Sequence, residues 1–194
     1  MNFFTGDFES DKALLFFFLC DELDGSTTGT ARREMYKKAN KKMPKDAYSL
    51  TIGHTTRRYI SPSKDREPSD IFEGLYKTKV LAEKPYIMHI LNEFTNLYLP
   101  DFCYTEVQLN KNFNAPKHKD RGNMGKSYIL GLGDYEGGEL CIEREEGNIE
   151  KIDIRDDFYT FNGAKYYHWV APVEGDRMSL VFYNTKRGKR INLQ

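Results

Sequence analysis

Cysteine is scarce in this chain. Cys20, Cys103 and Cys141 are the only three, odd in number and far apart, so neither a disulfide framework nor a zinc knot is expected. Long apolar runs are missing too. The longest, residues 13–20, has eight residues, against the roughly 20 needed to span a bilayer. Asp7, Glu9 and Asp11 precede it, where a secretory signal would carry basic residues. No membrane partner is therefore expected, and a reducing, intracellular setting is. A charge excess is also absent: Lys and Arg total 29, as do Asp and Glu, so overall balance names no partner. There is no internal repeat and no low-complexity segment.

What is present is aromatic. Thirteen Tyr and thirteen Phe in 194 residues suit a β-rich core with side chains packed between sheets, and the length fits one compact domain. Residues 1–100 read as a helical or irregular part that packs on the core. In it, 7–20 has helix length and an apolar run read as buried. Residues 31–42 suit a solvated helix or arm, 61–68 (SPSKDREP) a loop, and 84–97 a helix with Pro85 in its first turn. From 101 to 194 the texture changes to short strands, at 103–109, 126–132, 139–143, 149–154, 157–161 and 178–183, with Gly137 and Gly138 in a tight turn. The fold class is mainly β with N-terminal helices (α+β), and the strand spacing suggests a sandwich or jelly roll.

His118-Lys119-Asp120 sets an imidazole and a carboxylate two residues apart. On a strand both point to one face. A second histidine, His168, lies fifty residues on. Two histidines and one carboxylate make the facial triad of non-haem iron(II), which leaves three coordination positions open. The tripeptide alone also fits a surface turn, and His168, among Tyr166, Tyr167 and Trp169, also fits a packed ring. Nine residues beyond His168 comes Arg177-Met178-Ser179, opening an apolar strand. Arg177 and Ser179 then share a face, where a guanidinium fork and a hydroxyl suit a carboxylate. An ion pair of Arg177 with Glu174 or Asp176 is the structural alternative. His54 and His89 read as structural.

The order HKD, then GDYEGGEL, then DDFYTFNGAKYYHW, then GDRMSLVFY, over residues 108–183, resembles the 2-oxoglutarate/iron(II) dioxygenase superfamily. The resemblance implies a double-stranded β-helix (jelly roll) core. It makes His118, Asp120 and His168 the catalytic iron ligands and gives the distal carboxylate of 2-oxoglutarate to Arg177 and Ser179. Asn110, one strand earlier, reaches the near end of that co-substrate. The cofactors it implies are Fe(II), 2-oxoglutarate and O2, with ascorbate helpful in vitro. Asp120 stands where a related halogenase carries a small residue, so the implied activity is an oxidoreductase that hydroxylates or oxidatively demethylates a substrate C–H.

For the substrate, GDYEGGELCI and DRMSLVFY look most like the TET and J-base branch, which hydroxylates thymine or 5-methylcytosine. DNA modification is then the implied function. Arg32, Arg33, Lys37, Lys38, Lys41, Lys42 and Lys45 against the lone Glu34, and the cluster Lys186, Arg187, Lys189 and Arg190, suit phosphate contacts. Residues 123–125 and 55–59, with Arg57 and Arg58, are expected to border the substrate cleft. The Gly-Gly turn also recurs in prolyl and lysyl hydroxylases, which makes a protein substrate the alternative. An AlkB-like demethylase and a catalytically inactive binding module rank lower.

Overall fold

The computed structural model describes residues 3–56, 75–145 and 147–185, without the side chains of residues 30, 31, 54–56, 75 and 76. The expected loop at 61–68, the cleft residues Arg57 and Arg58, and the cluster Lys186–Arg190 lie outside them.

The chain opens with α1 (Phe8–Glu22), α2 (Thr30–Lys38), β1 (Tyr48–Thr56), β2 (Leu75–Lys77), α3 (Lys79–Glu83) and α4 (Pro85–Tyr98). It continues with β3 (Glu106–Lys111), β4 (Asn123–Leu132), β5 (Tyr135–Gly137), β6 (Leu140–Glu145), β7 (Asn148–Ile152), β8 (Tyr159–Phe161), β9 (Tyr167–Val170), β10 (Val173–Gly175) and β11 (Met178–Thr185). The strands make a six-stranded antiparallel sheet in the order β2-β1-β3-β11-β4-β8. Opposite it stand a three-stranded sheet, β7-β6-β9, and the pair β10-β5. This is a jelly-roll core with helices on one side.

Period-2 alternation decides which face goes where. In β3, Val107 and Leu109 are fully buried beneath the helices, while Gln108 and Asn110 face the other way. In β11, Met178, Leu180 and Phe182 are likewise fully buried on the helix side, and Arg177, Ser179, Val181 and Tyr183 alternate to the interior of the roll. Leu15, Leu19, Ile87, Leu91 and Phe94 from α1 and α4 cover the apolar face. Each such side chain contributes about 1.5–3 kcal/mol by leaving water. A smaller cluster of Ile129, Leu140, Ile142, Ile154 and Phe161 joins the two sheets.

Three local readings change. Residues 1–100 are not merely helical or irregular. β1 lies inside the six-stranded sheet, paired with β3 from Tyr48↔Lys111 to Gly53↔Glu106, although its Ser, Thr and Gly content hid it from the pattern. The apolar run of α1 is not all buried: Phe17 is 68% and Leu14 39% exposed, because consecutive residues point around a helix that packs on one side only. Finally, α2 ends at Lys38 and is anchored rather than solvated, with the buried Tyr36 ring edge-on to Phe113 at 5.0 Å. Elsewhere boundaries shift by a few residues, as with β11, which runs on to Thr185.

The N-terminus is clasped by one carboxylate. Buried Asp11 accepts from Thr5 N and Oγ1 at 2.9 Å, Gly6 N at 2.9 Å and Tyr98 Oη at 2.6 Å. Burial pushes its pKa up, but the donors Thr5, Tyr98 and Gly6 outweigh it and hold the carboxyl below its ordinary value. A depressed folded pKa means the stabilisation is complete at neutral pH and is lost as the pH drops through the folded value. Asp11→Ala is expected to cost about 2 kcal/mol at neutral pH in urea unfolding. The gap to wild type should narrow below about pH 4; a gap that does not change with pH would remove the charge from this account.

Candidate active site

His118 and His168 form an antiparallel bridge in which each donates its N–H to the other's carbonyl at 2.9 Å. Directly opposed residues send their side chains to the same side. Asp120 follows just after the bridge, outside any strand, and its N–H donates to Gly163 O at 2.9 Å. The shared face predicted for His118 and Asp120 thus arises from this second anchor rather than from strand alternation. One ligand atom from each of the three residues lies within 4.8 Å of the others. Asp120 Oδ1 is 3.5 Å from His118 Nε2, and Asp120 Oδ2 is 3.4 Å from His168 Nε2.

The proton positions follow from the backbone. His118 Nδ1 lies 2.7 Å from Pro116 O, and His168 Nδ1 lies 3.1 Å from Tyr166 O. A carbonyl only accepts, so each Nδ1 donates and each Nε2 presents a lone pair. Two imidazole lone pairs and a carboxylate facing one another form a ligand set for a cation, with the ring orientation fixed by outer partners. Burial would push the Asp120 carboxyl up, but hydrogen bonds from the His118 and His168 rings, where no cation displaces their Nε2 protons, and the charges of His168 and Arg32 outweigh it and hold it well below the usual carboxylate range. Asp120 is therefore ionised at neutral pH. Gly163 leaves the room required, since a Cβ there would stand 3.0 Å from Asp120 Oδ2 and 3.3 Å from His168 Cε1.

The surrounding cleft is lined by Asn110, Ser179, Gln108, Phe161, Tyr183 and Arg32 beside the three ligands. A ladder of side-chain hydrogen bonds crosses three strands here. Ser49 Oγ donates to Asn110 Oδ1 at 2.6 Å, Gln108 Nε2 donates to Ser49 Oγ at 2.9 Å, and Asn110 Nδ2 donates to Ser179 Oγ at 3.3 Å. Asn110, Ser179 and Gly131 occupy one level of the sheet. Asn110 is thus committed to holding Ser179 as well as lining the cleft.

Arg177 lies just before β11, two residues from Ser179, and is 1% exposed. Neither expected acid pairs with it: Asp176 bonds Lys111 Nζ at 2.6 Å, and Nε and both terminal nitrogens of Arg177 have no hydrogen-bond partner. Its guanidinium lies over the Tyr135 ring at 5.6 Å, and the buried Tyr135 hydroxyl is also unpartnered. Burial pushes the Arg177 pKa down and the Tyr135 pKa up. Gly138, at φ 69°, sits so close that a Cβ would meet Arg177 Cδ at 2.8 Å, and a Cβ on Gly131 would meet Tyr135 Oη at 2.2 Å. A cation and a hydroxyl buried together without acceptors cost several kcal/mol. They define a site shaped for an anion.

Of the other expected residues, Asn123 lines the cleft and its amide stands 3.5 Å from Asp120 Oδ2, although residues 123–125 open β4 instead of forming a loop. His89 is exposed on α4. Tyr135, Gly163 and Arg32 were not singled out for the site. Tyr135 was visible inside GDYEGGEL, whereas Arg32 was counted only as one charge in a basic run, and its place in the cleft is a tertiary fact. No helix among the described residues is long and apolar enough to cross a membrane.

No family model and no curated protein matches the chain. Solved structures do. A Pseudomonas putida prolyl-4-hydroxylase is 15% identical, with 95% of this chain and 90% of that one covered at a TM-score of 0.50. A Trichoplax adhaerens prolyl hydroxylase in complex with a hypoxia-inducible-factor peptide fragment is 15% identical over 94% and 80%, at 0.49. NgTET1 in complex with 5mC DNA is 18% identical over 82% and 67%, at 0.47. At these identities the likeness is one of fold: the chain is built on the jelly-roll core seen in the prolyl-4-hydroxylase.

Proposed function

We propose that this protein is an iron(II)- and 2-oxoglutarate-dependent dioxygenase that hydroxylates a substrate C–H. The observation that carries the reading is the unpartnered, buried Arg177 two residues from Ser179, which lines the cleft together with a three-residue metal ligand set. Those residues fit the groups the reading requires. His118, Asp120 and His168 would hold iron, and Arg177 would take the distal carboxylate of 2-oxoglutarate through its guanidinium fork. Ser179 and Tyr135 supply hydroxyl donors beside it, and Asn110 keeps Ser179 in place. Iron with 2-oxoglutarate bound supplies the activation of O2 that converts C–H to C–OH with release of succinate and CO2. Ile129, Leu140 and Phe161 give the cleft an apolar wall.

Tyr135 gives a specific test of the anion site. Tyr135→Phe removes one neutral donor, worth about 1 kcal/mol. It should raise the 2-oxoglutarate concentration for half-maximal succinate formation about fivefold, with iron binding unchanged. An unaltered requirement would exclude the hydroxyl from the site.

The substrate is read as a methyl group on a nucleic-acid base. The resemblance of GDYEGGELCI to the TET and J-base branch supports this, as do Arg32 in the cleft and the exposed lysines 37, 38, 41, 42 and 45. A protein substrate is the second reading, favoured by the near-complete overlap with the prolyl-4-hydroxylase. The experiment is incubation with iron(II), 2-oxoglutarate, ascorbate and methylated DNA, followed by nucleoside mass spectrometry beside a succinate assay. Hydroxymethylated bases support both chemistry and substrate. Succinate formed only with proline- or lysine-containing peptides selects the second reading, and no succinate under any condition overturns the dioxygenase.

A further inference from the structure

The residues that alternate with the metal ligands form a pattern of their own. Lys117 and Lys119 flank His118, and Tyr167 and Trp169 flank His168 across the bridge. There they interleave. Lys119 Nζ stands 4.5 Å from the Tyr167 ring centre, and Lys117 Nζ stands 5.4 Å from Tyr167 and 5.2 Å from Trp169. Tyr167 is 44% exposed. Glu143 pairs with Lys117 at 2.8 Å, while among the described residues Lys119 has no ion-pair partner. Arg144 and Lys165 lie over the neighbouring Tyr166 ring at 4.8 and 4.9 Å.

We propose that this Lys119-Tyr167-Lys117-Trp169 ladder is a docking surface for single-stranded nucleic acid, carried on the same backbone rung as the metal ligands. The proposal rests on the nucleic-acid reading above and deepens it. The charge and shape argue for this occupant. Cations two residues apart on extended backbone are about 6.7 Å apart, a reach that suits successive phosphates of an extended strand. Exposed aromatic faces held between them give unpaired bases a platform, and base–aromatic stacking tolerates any sequence. An acidic peptide would use the lysines but leave the rings without a role.

The test is binding of a fluorescein-labelled 12-nucleotide single strand to the full chain, read by anisotropy in the absence of iron and 2-oxoglutarate, across a salt series. Lys117→Ala with Lys119→Ala should weaken binding at least tenfold and lower the slope of log K against log salt by about 1.4, two contacts at about 0.7 each. Tyr167→Ala should weaken binding at least fivefold, and Tyr167→Phe should retain it. Unchanged affinity and slope in the double variant would overturn the proposal. So would polyglutamate competing as well as the oligonucleotide and depending equally on Tyr167. Succinate formed without substrate reads the metal centre alone. Loss of binding dependence with that turnover intact removes only the surface, and binding without any turnover removes only the dioxygenase.

Discussion

Asp120→Ala is expected to abolish succinate formation and to remove high-affinity iron(II) binding, and His118→Ala is expected to do the same. The reason is the mutual geometry. The carboxylate oxygens stand 3.5 and 3.4 Å from two imidazole nitrogens whose lone pairs face it, so no remaining pair encloses the ion from three sides. Asp120 also carries the only negative charge of the three. The loss should exceed the 10–100-fold typical of removing an outer partner of a metal ligand. Asp120→Asn keeps the shape and discards the charge, and its iron affinity measured by competition with a chelating dye separates the two contributions. Turnover retained in either alanine variant would sink the ligand assignment.

Arg177→Met is expected to split stability from activity. The guanidinium is fully enclosed with its nitrogens unpartnered, so without an anion it is a buried charge in debt to the fold. Replacing such a group by an apolar one of similar length is commonly neutral or stabilising. For this chain a gain of about 2 kcal/mol corresponds to roughly 4–8 °C in Tm. The same substitution removes a charge-assisted, bidentate contact worth roughly 1.5–3 kcal/mol. The 2-oxoglutarate requirement should therefore rise by about 10–150-fold, and the thermal shift that 2-oxoglutarate gives wild type should vanish. A variant that melts lower and still responds to 2-oxoglutarate would show that Arg177 is a structural cation with an anchor elsewhere.

The six strands expected between residues 103 and 183 were legible because apolar and polar residues alternate there and glycine and asparagine mark the turns. Val107 and Leu109 against Glu106 and Gln108 is the plainest case. β1 was not legible: Thr51, Gly53 and Ser49 on its inner face are small and polar, suited to a cleft wall rather than a core. β5, β9 and β10 are three or four residues long and carry too little pattern to detect. At the site, His118, Asp120, His168, Arg177 and Ser179 could be picked out because their residue types and order suit one chemistry. Tyr135 and Arg32 could not be assigned, since Tyr135 is placed by the pairing of β5 with β10 and Arg32 by the packing of α2 beside the cleft. Gly163 matters for the space it leaves, which no residue property announces.

The rung that joins His118 to His168 constrains how this chain can change in length. The two ligands are set opposite each other by a pair of backbone hydrogen bonds, not by the fifty residues between them. Residues can be added where β6 turns into β7, far along the hairpin from Ile142↔His168, without moving either imidazole. One residue added between Ala115 and His118 has a different result. It turns His118 outward and Lys117 or Lys119 inward, because a single-residue slip exchanges the two faces. Length variation among relatives of this protein should therefore gather in the β6–β7 hairpin and be absent between Ala115 and His118.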